Sequence, residues 1–171
     1  ALDWHGIHGV AHWSRVARIG ERLAAESGAR LDVVRLFAFF HDSCRESDGW
    51  DTQHGPRAAV LVESLHGSHF SLDRSGLELL IEACHGHTHG DFHDDVTVQT
   101  CWDSDRLDLG RVGIVPDPDR LGTAAARRPE VIAWAYWWSI AAGARERTPG
   151  HPPNYLSPCP PGIRVGVEDG N

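Results

Sequence analysis

The chain has 171 residues, 41% of them hydrophobic, and a formal net charge of -8. That length and composition suit one globular domain with a sizeable core and exclude a disordered chain. The acidic balance argues against nonspecific nucleic-acid binding, which needs a basic face, and no apolar run approaches the roughly 20 residues of a membrane helix.

The chain opens directly into polar sequence, with neither a basic nor an apolar leader region, so no signal peptide is expected. Cys44, Cys84, Cys101 and Cys159 form no C-x-x-C pair. Their scatter fits reduced cytosolic thiols better than a disulfide framework or a zinc knuckle, and a cytoplasmic location is expected. All 16 basic residues are Arg, which reads as a compositional trait, although Arg is also the better bidentate phosphate binder. The 12 histidines are many for this length, and most fall in the first hundred residues.

A first helix is predicted over residues 7–26, with Val10, Trp13, Val16, Ala17, Gly20, Leu23 and Ala24 on one face. His8 and His12 lie one turn apart on it, with Arg15 one turn further. His8 reads as a helix-start histidine, a phosphate contact being the alternative, and Gly28 as a C-terminal stop. A second helix, capped by Asp32, is apolar almost continuously over residues 33–40 and reads as central and fully surrounded. It ends in His41-Asp42. Neighbouring helical residues point about 100° apart, yet both can reach one point beyond the helix end. A buried polar pair needs a partner, and imidazole nitrogen with carboxylate oxygen suits Zn, Mn or Fe. Taken alone, the dipeptide would read as a solvated helix end.

A polar loop over residues 43–53 leads to a third helix starting near Gly55-Pro56 and running through Ala58, Ala59, Leu61, Val62 and Leu65, with His54 at its mouth. Ser71 caps a fourth helix that carries Leu77, Leu80, Ile81 and Cys84 and ends near His85. After a loop dense in histidines and acids, a fifth helix spans residues 96–107, with Asp103 and Asp105 near its end. Residues 110–122 read as irregular because of Pro116 and Pro118. Pro129 and Glu130 open a sixth helix that is apolar nearly all round, including Trp134, Trp137 and Trp138. It reads as a core helix, with a homodimer interface as the alternative. The expected fold is therefore an all-α bundle of about six helices over residues 1–147, followed by an irregular Pro/Gly-rich tail over residues 148–171.

Each of the first five helices offers a His or Asp in or beside an apolar segment: His12, His41-Asp42, His54, His85 and Asp103. Ligands that converge from separate helices are how bundles build metal sites. As an ordered set these residues resemble the HD superfamily of metal-dependent phosphohydrolases, whose pattern is H…HD…D with two more histidines before the last Asp in the dinuclear branch. The resemblance is carried by His12-Trp13-Ser14-Arg15-Val16, by Phe40-His41-Asp42 and by Cys101-Trp102-Asp103-Ser104-Asp105-Arg106-Leu107. It covers about residues 8–121 and leaves the sixth helix and tail outside.

The resemblance implies that His12, His41, Asp42 and Asp103 hold one divalent ion (Mn, Fe, Ni, Zn or Mg). Asp42 would bridge to a second ion on His54 and His85, roles for which His87, His89 and His93 compete. The implied activity is hydrolysis of a small phosphomonoester or nucleotide by a metal-activated hydroxide, with Asp42 at its centre. Arg15, Arg45 or Arg57 would neutralise the phosphate. Three residues after the dyad, the nucleotidase branch tends to carry Glu and the cyclic-dinucleotide phosphodiesterases Lys. Arg45 keeps a cation there and loses a general-base carboxylate, for which Glu46, Asp48 or Asp51 would have to substitute. The G-Y-P motif of those phosphodiesterases is absent. A second reading is a di-iron oxygenase similar to myo-inositol oxygenase, which has the same set of four His and two Asp. A third is a non-catalytic metal-stabilised module, disfavoured because structural sites usually close with four ligands.

Overall fold

In the computed structural model, which describes residues 2–146 and side chains through residue 141, the first helix α1 (Val10–Ser27) stops at Gly28. That glycine sits at φ 78° and returns its N–H to the Ala24 carbonyl, a conformation that favours Gly. α1 starts at Val10, three residues later than its periodicity suggests. The residues before it turn back instead, with the Val10 N–H donating to the Trp4 carbonyl at 3.0 Å. A Cβ on Gly9 would stand 2.2 Å from that oxygen, so only glycine allows the turn that carries His8 under the helix.

α2 (Leu31–Phe40) follows after three residues and packs against α1, α4, α5 and α3. It buries Val33, Val34, Phe37 and Ala38, but Leu31, Arg35 and Phe39 form an exposed stripe at four-residue spacing. The helix is thus central in the packing order without being surrounded, because its apolar run exceeds the width of the face it buries. Asp32 lies inside its first turn, not at the cap.

The remaining helices are α3 (His54–Leu65), α4 (Arg74–Gly86), α5 (Val96–Arg106) and α6 (Pro129–Glu146). α4 is capped by Asp73 and not by Ser71: the Asp73 carboxylate accepts the Gly76 N–H at 2.7 Å and also an Arg30 N–H at 2.7 Å. Asp95 caps α5 by accepting from Thr97 and Val98. Between α5 and α6 the chain makes two short 3-10 turns, Leu109–Val112 and Pro118–Arg120. Among the described residues the fold is all-helical, with no strand and a single isolated bridge between His66 and Phe70. No helix among them is long and apolar enough to cross a membrane.

Among the described residues, two apolar cores meet on α1. One face of α1 joins α2, α3, α4 and α5 around Phe37, Val62, Leu80 and Val98. The other places Ile19 and Leu23 against Leu107, Leu121, Val131 and Ala135. α6 therefore serves as a core helix through one face, and Arg22 and Arg18 of α1 cover its Trp134 and Trp138 rings at 4.3 and 4.8 Å. The expected tail lies outside the described residues.

Candidate metal centre

His41 prolongs α2 by one residue in helical geometry, its N–H bonding the Phe37 carbonyl. Its ring is fully buried and stacks on Phe37 with centroids 4.8 Å apart. Its Nδ1 lies 3.1 Å from the Phe37 carbonyl and 3.2 Å from that of Ala38. A carbonyl only accepts, so Nδ1 carries the proton and the Nε2 lone pair is directed away from the helix. The same arrangement recurs three times. His12 Nδ1 meets the Asp108 carboxylate at 2.7 Å. His87 Nδ1 meets the Cys84 carbonyl at 2.8 Å, and His54 Nδ1 the Asp51 carbonyl. Four buried histidines from four helices thus aim Nε2 at a common region. Metal-ligating histidines are held in this way, the far nitrogen anchored to a carbonyl or carboxylate.

Asp42 lies between them. Its Oδ2 is 3.6 Å from His12 Nε2 and 3.8 Å from His41 Nε2, and its Oδ1 is 3.1 Å from His54 Nε2 and 3.6 Å from His87 Nε2. One carboxylate therefore faces two histidine pairs, one with each oxygen. Asp105 completes the first pair, with Oδ1 3.4 Å from His12 Nε2 and 3.8 Å from His41 Nε2. That buried oxygen has no hydrogen-bond partner, a costly state for a carboxylate unless a cation is meant to meet it. His8, almost fully buried, adds its Nδ1 to Asp42 Oδ2 at 2.7 Å.

The donor set fits divalent metal. Within the pairs, His12 and His41 bring their Nε2 atoms to 3.0 Å, and His54 and His87 theirs to 2.9 Å. Two nitrogens 3.0 Å apart, each bonded at about 2.1 Å to one ion, subtend about 90° there, as neighbouring ligands of an octahedral ion do. The protonation states of His41, Asp42 and Asp105 also fit, since ligands must be neutral His and ionised Asp, whereas the same two carboxylates shift His87 upward. Burial pushes His41 down to about 3, outweighing the nearby Asp42 and Asp105. Burial works against the charges of Asp42 and Asp105. The surrounding imidazoles nevertheless hold both below the usual carboxylate range, His41 and His54 acting most on Asp42 and His12 on Asp105.

The structure brings His12, His41, Asp42 and His54 of the expected ligands into this cluster, and leaves His85 and Asp103 outside it. His85 is exposed on the far side of α4, while His87, just past the helix end, turns inward. Asp103 is fully buried but accepts from Gln99 Nε2, the Gly122 and Thr123 N–H groups and the Thr123 hydroxyl at 2.7 to 2.9 Å. It pins the chain after the Pro118–Arg120 turn, and Asp105, two residues on, faces the histidines. Arg15 also lies off the cluster: its Nε donates to Asp108 Oδ1 at 2.7 Å, behind His12. Arg57 is tied to the Cys44 carbonyl and to Asp51. Arg45 does reach the site, with Nη1 3.2 Å from His54 Nε2 and 3.5 Å from Asp42 Oδ1.

His8, Asp42, His54, His87 and Asp105 line a cavity of about 380 Å³, with His12 and His41 buried out of its lining. Arg45, Arg111 and Arg120 line it on the polar side, and Leu109, Ile114 and Val115 form an apolar wall. None of Glu46, Asp48 and Asp51 lines it. Comparison with protein-family models, curated proteins and solved structures returned no match. Among the described residues, three sets of His and Asp donors could hold a metal ion: His8-His12-Asp42, His12-His41-Asp105 and Asp42-His54-His87.

Proposed function

We propose that this chain is a metal-dependent phosphohydrolase that releases phosphate from a small phosphomonoester or nucleotide. The observation that carries the reading is Asp42, whose two oxygens face two histidine pairs with every Nδ1 anchored outward. His12, His41, Asp42 and Asp105 would hold one divalent ion, and Asp42, His54 and His87 a second. Ions held so supply Lewis-acid activation of water and neutralise phosphoryl charge.

The chain's own groups do the rest. His8 fixes the Asp42 carboxylate through its 2.7 Å contact. Arg45 offers N–H donors to a phosphoryl oxygen beside the second group, where a charge-assisted contact is strongest. Ile114 and Val115, both exposed, give the organic part of the substrate an apolar surface. The cavity, at about 380 Å³, has the size of a small-ligand site and not that of a polymer groove.

A second reading rests on the imidazole-rich donor set, four His and two Asp, which suits iron as well as Mn: a di-iron oxygenase. One experiment separates the two. The protein is purified, analysed for metal, reconstituted with Mn²⁺ and screened for phosphate release from phosphomonoesters and nucleotides, with Asp42→Ala alongside. We expect metal and phosphate release in the parent and neither in Asp42→Ala. A variant retaining both sinks the site. Bound iron with substrate-dependent oxygen uptake and no phosphate release replaces hydrolysis by the oxygenase.

A further inference from the structure

Asp108 is fully buried, yet it touches neither the cavity nor the facing Nε2 atoms. Its two oxygens take three short contacts: His12 Nδ1 on Oδ2 at 2.7 Å, and Arg15 Nε and the Ser139 hydroxyl on Oδ1 at 2.7 and 2.9 Å. Arg111 Nη1 stands 3.8 Å from Oδ2. A carboxylate sunk this deeply is expensive unless it is paired and its lone pairs are filled, and here they are. His12 and Arg15 lie three residues apart on α1, so one carboxylate spans both. Ser139 comes from α6, which is otherwise remote from the cluster.

The other three histidines rest their Nδ1–H on neutral backbone carbonyls. Only His12 has a carboxylate behind it. An anionic acceptor holds the Nδ1 proton more firmly and makes the opposite nitrogen a stronger donor. We infer that Asp108 is the positioning residue of the centre: it fixes the His12 tautomer and makes the His12-His41-Asp105 group the tighter of the two cation sites, with Arg15 and Ser139 holding Asp108 in place. This goes beyond the hydrolase reading by assigning α6 to the site and ranking the two groups, and it rests on that reading only for the cation.

Asparagine at this position cannot serve both neighbours. Its oxygen can accept from His12 or from Arg15, but its NH₂ then faces the other, which is itself a donor. Asp108→Asn must drop Arg15 or drive His12 to the opposite tautomer.

The test reads ring ¹⁵N resonances of the full chain, first metal-free and then with Zn²⁺ added alone. In the metal-free parent we expect His12 protonated on Nδ1. As Zn²⁺ is added we expect the His12 and His41 signals to respond before those of His54 and His87. Asp108→Asn should weaken Zn²⁺ uptake at His12 by about 10- to 100-fold, the range for losing a partner behind a metal-bound histidine, while the His87 signals keep their response. Ser139→Ala should give a smaller loss at the same end. A parent His12 protonated on Nε2 overturns the inference, and needs no variant that folds. So does simultaneous filling of both groups, or an Asp108→Asn protein with unchanged His12 signals. Ser139→Ala with parental Zn²⁺ uptake removes α6 from the site. A parent that takes up no Zn²⁺ refutes the hydrolase reading, while the metal-free tautomer still decides the role of Asp108.

Discussion

His12 and His41 come from different helices and face each other through Nε2 atoms only 3.0 Å apart. Both Nδ1 protons are committed outward, to Asp108 and to the carbonyls of Phe37 and Ala38. Two lone pairs therefore confront each other, an arrangement that is repulsive until a cation or a proton lies between them. Divalent metal should raise thermal stability by mass action on the folded state. With the ion at 100 times its Kd the gain is about 2.7 kcal/mol, or about 5–10 °C for a domain of this size. Melting curves with Mn²⁺ against a chelator give the answer. A midpoint indifferent to Mn²⁺ would mean that the two rings merely pack.

Two pairs of neighbours separate ligands from supports. His87→Ala should cost the protein one of two ions, while His85→Ala, a change on an exposed face, should leave metal content alone. Asp105→Asn should weaken the first group by more than the roughly 10- to 100-fold that loss of an outer partner brings. Asp103→Asn should keep metal but lose about 2–4 kcal/mol of stability, because its buried carboxylate accepts from Gly122, Thr123 and Gln99. Metal analysis beside urea melts distinguishes the four variants. Metal loss in His85→Ala with full metal in His87→Ala would reverse the assignment.

The six helices of the described residues were legible because their apolar faces keep helical spacing, and Gly28 and Pro129 mark boundaries by backbone chemistry alone. The His87 position was also within reach of spacing. It follows Leu80, Ala83 and Cys84 at seven, four and three residues, the buried face of α4, whereas His85 falls on the opposite side. Asp103 and Asp105 were harder. α5 is buried continuously from Thr97 to Ser104, so no face stands out, and the groups that claim Asp103 lie 19 and 20 residues further along the chain. Asp108 and Ser139 carry no local signal, since their meaning arises only where α1 and α6 meet. Ser71 lost the α4 cap to Asp73 because Asp73 also satisfies Arg30, a contact across 43 residues.

Arg45 stands where a second cation and a phosphoryl group would both be drawn. Its guanidinium lies 3.2 Å from His54 Nε2 and 3.5 Å from Asp42 Oδ1, and is steadied by the carbonyls of Ser47 and Gly49. Arg45→Met removes the charge and keeps the stem. We expect a rise in KM for a phosphomonoester of about 10- to 100-fold, the worth of one charge-assisted hydrogen bond. Mn²⁺ affinity at the His54-His87 group should rise at the same time, because a fixed positive charge has gone. An unchanged KM would confine Arg45 to anchoring its own loop.

The metal-free protein should be most stable near the ordinary histidine value, because two buried histidines pull in opposite directions. Burial lowers His41 from 6.5 to about 3. Between those values the unfolded chain binds a proton that the folded chain refuses, so stability falls as pH drops below 6.5, by up to about 1.4 kcal/mol per pH unit. His87 is shifted upward: burial opposes this, but the nearby carboxylates of Asp42, 3.6 Å away, and Asp105 outweigh it. Its stabilisation is complete below the unfolded value and is lost as pH rises through the folded one. Asp42 and Asp105 are held below the ordinary carboxylate value of 3.8 and so contribute no slope in this window. Melting the chelated protein from about pH 5 to about pH 8 should therefore trace a maximum near 6.5. His87→Gln should lose the alkaline decline and keep the acid one. A parent whose stability climbs steadily toward acid would show that His41 takes up a proton in the folded state, and the facing Nε2 pair would then be bridged by that proton.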